Sequence, residues 1–348
     1  FATLCLTAGM ALYSCAHWHW GLTVLLVFLH GTVSHFYING VHELVHNTVF
    51  RSRWLNGFFV RLLGFFGWCD WVWFTTSHAN HHRYTLHPPR DGEVVLPYKG
   101  LGLKSFLKQG FLAPTRPYQL FKGAFNTARG KLEGAWTLAL FPPDQPAARR
   151  RLFNWNRFVF AGHLVILMGA ITAGVLTGIK TWYLVPVLVN FGSCYGGWLF
   201  YLVNNTQHVG LTDKVPDFRL CCRSMKVPAI VSFLYWHMQY HTEHHMYAAV
   251  PCYRLRQLHR LIQHDLPEPK GIIGTWREIT TILRRQEAEP DYQYRHPLPP
   301  TARPMVTGDR QAEVAAGAGP TDPGADCADL TPDTTPPSPA DPTRPVTA

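Results

Sequence analysis

Charge is missing from long stretches of this 348-residue chain. Residues 158–179, 182–203 and 21–41 contain no Asp, Glu, Lys or Arg, and residues 1–16 form a shorter run of the same kind. Each long run suits the roughly 20 helical residues that cross a hydrocarbon core of about 30 Å. Carboxylates are scarce as well, with 22 Asp+Glu against 32 Lys+Arg. Residues 296–348 hold seven of the acidic side chains but only Arg303, Arg310 and Arg344 of the basic ones, so the rest of the chain is more basic still. No basic–aromatic motif accompanies that charge, which excludes a nucleic-acid partner and favours a membrane surface. The eight cysteines form no CxxC pair, and Cys221 and Cys222 are adjacent, a poor arrangement for a structural bridge. They read as reduced thiols in and beside a membrane. Aromatics vanish from residue 296 onward, where Pro, Ala, Thr, Gly and Asp dominate. Residues 296–348 are therefore expected to form a disordered tail behind a folded domain of residues 1–295. Phe1 falls inside an apolar run with no initiator methionine, as expected of a truncated N-terminus, and no signal peptide is apparent.

The apolar runs pair as two hairpins, joined by His17-Trp18-His19-Trp20 and by Lys180-Thr181. The hairpin connections carry one basic residue, whereas residues 47–156 and the chain from Thr206 onward are rich in Lys and Arg. The positive-inside rule puts both long segments in the cytoplasm. The expected fold is an all-α integral membrane protein with four transmembrane helices in two hairpins and a cytoplasmic helical cap. Residues 54–74 are also apolar but contain Arg61 and Asp70, and read as one or two interfacial helices; residues 226–240 receive the same reading.

What is present in unusual density is histidine. His42 and His46 stand in HELVH, His78, His81 and His82 in HANHH, His241, His244 and His245 in HTEHH, and His208 closes NNTQH four residues after Asn204. On a helix, positions i, i+3 and i+4 share a face, so each cluster aims its imidazoles at one point. The topology above brings all the clusters to one depth on the cytoplasmic side. Nine convergent imidazoles exceed the needs of one metal and suit a pair. Asn204, one turn before His208, is placed to reach a metal through water. His35, His237, His87 and Asp70 are candidates to touch the site from behind the ligands, and Glu43 reads as a residue behind the ligands or in helix packing. His17, His19, His30, His163, His259, His264 and His296 read as ordinary packing residues.

HELVH also satisfies HExxH, the zinc protease signature. A protease of that kind needs one further ligand, which leaves the two HxxHH groups unexplained. A metal carrier with histidines relayed across the bilayer would spread them along its depth, whereas these collect at one face. All-histidine ligation excludes iron–sulfur clusters and disfavours Mg²⁺ and Ca²⁺. Two irons beside lipid suit O₂ activation and attack on an unactivated C–H bond.

HELVH, HANHH and HTEHH, in this order and spacing, resemble the membrane fatty acid desaturase superfamily, the histidine-box non-haem di-iron enzymes, over residues 21–277. NNTQH resembles an Asn-xxx-His element of the acyl-CoA branch. HHRYTLHPPRD and HHMYAAVPCYRLRQLHRLI resemble bacterial desaturase-like proteins, which implies a bacterial plasma membrane. The resemblance implies four crossings under a cytoplasmic cap, two irons, O₂ as co-substrate and an external electron donor. It implies one iron on His42, His78, His82 and His244, with Asn204 through water, and the other on His46, His81, His208, His241 and His245. The first box has three residues between its histidines where the acyl-CoA branch usually has four. The chain has no HPGG haem motif, no rubredoxin-like CxxC pairs and no GxGxxG loop. Electrons are then expected from an acidic ferredoxin or a cytochrome docking on the basic cap. The implied reaction removes hydrogen from a lipid acyl chain and leaves a double bond; hydroxylases, carotenoid ketolases and alkane monooxygenases belong to the same superfamily.

Overall fold

The computed structural model describes residues 1–97 and 101–303. Helices α1 (Ala2–Ala16) and α2 (Trp20–Ser34) form the first hairpin, turned by Trp18 in a left-handed conformation. After a brief interruption at His35 and Phe36 the chain continues as α3 (Tyr37–Val45), so that Trp20–Val45 is one apolar stretch of 26 residues. Helices α4 (Arg53–Phe66) and α5 (Trp71–Tyr84) follow. Residues 54–74 are therefore two helices separated by a turn. Asp70 starts the second by accepting hydrogen bonds from the Val72 and Trp73 amides at 3.1 Å, the usual N-cap device.

Helices α6 (Leu103–Gly110), α7 (Arg116–Ala128) and α8 (Ala135–Leu140) lead into α9 (Pro146–Thr177). Proline at its first turn and Gly178 in the left-handed conformation at its end delimit α9. Its 32 residues span about 48 Å at 1.5 Å each, enough for a basic entry followed by a full crossing. Val165, Val175 and Leu176 stand about 70 to 80% exposed on its surface, an apolar face that suits lipid.

The apolar run 182–203, expected to be one crossing helix, is broken. It holds α10 (Leu184–Val189), an unwound stretch, and α11 (Trp198–Asn204). Gly196 turns at φ +72°, and a Cβ there would lie 2.7 Å from the Phe28 carbonyl oxygen. The freed backbone finds partners inside the protein. The Ala113 amide donates to Cys194 O and the Gly196 amide to Phe111 O, each at 2.9 Å, while Trp68 Nε1 donates to Asn190 O at 2.7 Å. Non-helical backbone is tolerated at membrane depth when protein covers it in this way. Among the described residues, Trp20–Val45 and Pro146–Thr177 are long and apolar enough to cross a membrane, and α1 is shorter.

The remaining helices are short: α12 (Phe218–Cys221), α13 (Ala229–Leu234), α14 (His241–Met246) and α15 (Leu255–Ile262), closed by α16 (Ile272–Ala288). The all-helical expectation misses one detail, a two-residue parallel pair of β1 (Met225–Lys226) and β2 (Lys270–Gly271). The expected tail lies outside the described residues from 304 onward. Its first residues are held to the body, since Thr301 donates to His264 O and the Arg303 amide donates to Asp265.

Three apolar clusters set the helices that carry histidine. Val41 and Leu44 of α3 pack on Val60 and Leu63 of α4 and on Phe74 of α5. Val72 of α5 packs on Leu140, Leu152, Trp155 and Val159, fixing it to α8 and α9. Leu86 packs on Phe218, Cys221 and Cys222, which ties the end of the second box to the segment behind His208.

Candidate metal centre

The nine clustered histidines collect into two adjoining groups. Ligand atoms of His42, His46, His78, His82 and His244 lie within 4.8 Å of one another, as do those of His81, His208, His241 and His245. His82 and His245 stack at 4.3 Å between ring centroids, so the groups share a wall. Helix α3 supplies the first box, α5 the second and α14 the third. His208 is not on a helix face with Asn204, because α11 ends at Asn204. A turn positions it instead, and His208 Nδ1 donates to Cys221 O at 2.8 Å.

Five of the outward nitrogens are fixed, that of His208 by the bond just given. His42 Nδ1 meets Glu43 Oε1 at 2.9 Å, His78 Nδ1 meets Glu93 Oε1 at 3.0 Å and His81 Nδ1 meets Asp91 Oδ2 at 2.9 Å. Thr85 spends its hydroxyl proton on His81 O at 2.5 Å and so accepts from His245 Nδ1 at 3.2 Å. These partners accept a hydrogen bond from Nδ1–H, so the proton stays on Nδ1 and Nε2 keeps a bare lone pair. The Nε2 atoms of His42, His46 and His245 are buried with no protein partner. Others face one another: His78 and His82 at 3.0 Å, His82 and His244 at 3.1 Å, His208 and His241 at 2.8 Å. Lone pairs crowded in this way fit cations among them. An imidazole donor set of this size, with five outer nitrogens held by three carboxylates, a hydroxyl and a carbonyl, is one that could hold two transition-metal ions.

Burial and the neighbouring imidazoles keep the rings in the form that binds metal. They hold His78, His82, His241, His244 and His245 well below the ordinary histidine value. Burial, then His42, brings His46 down to about 4; burial, then His81, brings His208 down to about 3. These seven are neutral at ordinary pH.

The structure departs from several expectations. His46 joins His42, His78, His82 and His244, not the group of His81 to which the resemblance assigns it; its ring lies 4.8 Å from those of His82 and His244. Asp70 is spent on capping α5 and on Asn156 Nδ2, because a residue at an N-cap turns toward backbone amides and does not continue the helical face to His78. His35 Nδ1 donates to Gly31 O at 2.8 Å within its own helix, His237 Nδ1 bonds Ser232 Oγ at 3.0 Å and His87 Nδ1 bonds Thr85 O at 2.9 Å. None of the three is a member of either group, while His237 stands close enough to Glu43, the partner of His42, for their charges to interact. Asn204 Oδ1 lies 3.4 Å from Asn39 Nδ2, one turn before His42. Glu43 does stand against a clustered imidazole. It is turned back onto His42 Nδ1, a poor position for the general base of a HExxH protease.

Four polar residues behind the histidines were not singled out in the sequence: Asp91, Glu93, Thr85 and Glu243. Glu243 Oε2 accepts from Ser224 Oγ at 2.5 Å and Oε1 meets His259 Nδ1, so His259 braces the third box. The usable signal was the rarity of carboxylates in residues 47–156, which makes Asp91 and Glu93, just after the second box, conspicuous.

The family model described as fatty acid desaturase matches residues 16–276 of the 348. No curated protein and no solved structure matches the chain.

Proposed function

The chain belongs to the fatty acid desaturase family, and from that premise we propose that it is an integral membrane di-iron enzyme that desaturates a lipid acyl chain. Family membership carries the coarser statement, an oxidoreductase acting on lipids at a metal centre. The finer reading rests on one observation above the others: buried Nε2 lone pairs converge in two groups while Nδ1 protons are held by Glu43, Glu93, Asp91, Thr85 and the Cys221 carbonyl.

In this reading His42, His46, His78, His82 and His244 hold one iron and His81, His208, His241 and His245 the other. The pair of irons supplies the redox chemistry that couples O₂ reduction to loss of hydrogen from an unactivated C–H bond. The protein's own part is positional. Glu43, Glu93 and Asp91 fix ring orientation and tautomer, and such partners are worth roughly 10- to 100-fold in metal affinity. The apolar packing of α3, α4 and α5 excludes water from the rings. The four crossings, with the histidine side facing the cytoplasm, belong to the same proposal, supported by basic residues 47–156 against near-neutral hairpin turns. An external one-electron protein supplies the reducing equivalents.

Expression in a host of known lipid composition tests the reaction. Desaturation lowers the mass of an acyl product by two units, whereas hydroxylation raises it by sixteen. Iron analysis and Mössbauer spectra of purified protein test the centre. Full activity in iron-free protein would end the proposal.

A further inference from the structure

The turn Asp91-Gly92-Glu93 serves both groups at once, with Asp91 on His81 and Glu93 on His78. Trp136 of α8 lies directly on it: a Cβ at Gly92 would come within 2.5 Å of the Trp136 ring, so only glycine admits that approach. Trp136 Nε1 donates to Ser77 Oγ at 3.0 Å, Ser77 Oγ donates to Glu93 Oε2 at 2.8 Å, and Glu93 Oε1 accepts from His78 Nδ1 at 3.0 Å. Ser77 is fully buried and Trp136 is partly exposed. An unbroken hydrogen-bonded path thus runs from the protein surface to a clustered histidine. Helix α8 is pinned in place, since Trp73 Nε1 donates to Thr137 Oγ1 at 3.1 Å.

Resting on the function proposed above, we propose that Trp136, Ser77 and Glu93 form the route by which electrons enter the metal centre, and that a redox protein with an acidic surface docks over Trp136. Desaturation takes two hydrogens from the chain and reduces O₂ to two waters, so two further electrons and two protons must arrive from outside. A one-electron iron–sulfur or haem protein delivers those electrons in two visits and is reoxidised each time. Charge favours an acidic partner. The chain carries a formal net charge of +10, and Lys122, Arg129, Lys131, Arg149, Arg150 and Arg151 lie on the segments that flank Trp136 in the chain, with Lys131 partly offset by Glu133. Leu138, 47% exposed on the same short helix, adds an apolar contact.

The test is anaerobic reduction of the oxidised, iron-loaded protein, followed by stopped-flow absorbance. A reduced plant-type [2Fe–2S] ferredoxin serves as the protein donor and dithionite as a small one. Trp136→Leu and Ser77→Ala are expected to slow reduction by ferredoxin by an order of magnitude, with iron content and the dithionite rate unchanged. Trp136→Phe, which keeps a ring on Gly92 but lacks the N–H, should fall between. Wild-type ferredoxin rates in iron-replete variants overturn the route. Equal slowing with both donors overturns it too, because a structural defect would not distinguish them. Wild-type protein that accepts ferredoxin electrons but never oxidises an acyl chain would remove the proposed reaction and leave the route standing; wild-type protein that takes up no iron would remove both.

Discussion

His81 Nδ1 donates to Asp91 Oδ2 at 2.9 Å, and both side chains are buried. The same Asp91 oxygen accepts the Leu86 amide at 2.8 Å, while Oδ1 accepts the Glu93 amide at 2.9 Å. One carboxylate therefore orients a histidine and shapes the loop that follows it.

Asp91→Asn should weaken the group of His81, His208, His241 and His245. An amide keeps the size of the side chain but offers one acceptor oxygen where the carboxylate offers two. The expected loss is roughly 10- to 100-fold in metal affinity, the usual effect of removing such a partner. A chelator titration followed by iron analysis would read it as loss of one iron well before the other. Chelator resistance equal to that of the unsubstituted protein would count against a positioning role for Asp91.

His46 decides between two ways of dividing the ligands. The geometry puts its ring 5.1 Å from that of His78 and 4.8 Å from that of His244. His46→Ala should therefore perturb the same iron as His244→Ala, with matching changes in the Mössbauer spectrum, and leave the signature of His208→Ala distinct. Spectra of His46→Ala that match His208→Ala would restore the division that the family resemblance implies.

These two cases also mark what the sequence made legible. Eight of the nine histidines could be found from helical spacing, because i, i+3 and i+4 positions converge on any helix, and α3, α5 and α14 are helices; His208, held by a turn after α11, joins them for a reason that spacing does not give. Their division into groups could not, since it depends on how α3 and α14 cross α5, a tertiary fact. Asp70 and Asp91 are the instructive pair. Counting helical turns back from His78 makes Asp70 a candidate, but that argument assumes helix throughout, and Asp70 is where the helix begins. Asp91 lies on no helical face, so periodicity is silent about it, and only a loop folding back brings it to His81. The broken run 182–203 was more readable than the charge pattern suggested. Asn190, Gly192, Gly196 and Gly197 are dense for a crossing helix, and hydropathy averages them away.

Gly196→Ala tests that break. A non-glycine residue in the left-handed region costs roughly 1–3 kcal/mol, and here the new methyl would also meet the Phe28 carbonyl of α2. The variant is expected to lose thermal stability in detergent by at least that much, and its iron content should fall with it, because α11 leads directly to His208. A variant with an unchanged unfolding midpoint would mean that the stretch between α10 and α11 can relax without strain.

Acid should unfold the metal-free protein over a definite range. His46 and His208 have folded values of about 4 and about 3, and His78, His82, His241, His244 and His245 are also lowered, all by burial first. The unfolded chain keeps the ordinary histidine value of about 6.5. Below that pH the unfolded state binds protons that the folded state refuses, so stability falls as the pH falls. It is fully present above about 6.5 and is lost on the way down toward 4, by about 1.4 kcal/mol per pH unit for each such histidine. Several such losses act in the same direction against the ~5–15 kcal/mol that holds a typical domain. Thermal midpoints of the iron-free protein should therefore drop steeply between about pH 6.5 and pH 5. Iron-loaded protein should hold its midpoint to lower pH, since bound metal competes with the protons. Replacing His46 and His208 together by Gln should make the iron-free profile shallower. A profile that stays flat through this range in iron-free protein would mean that the imidazoles are solvated, and that the closed pair of groups does not form without metal.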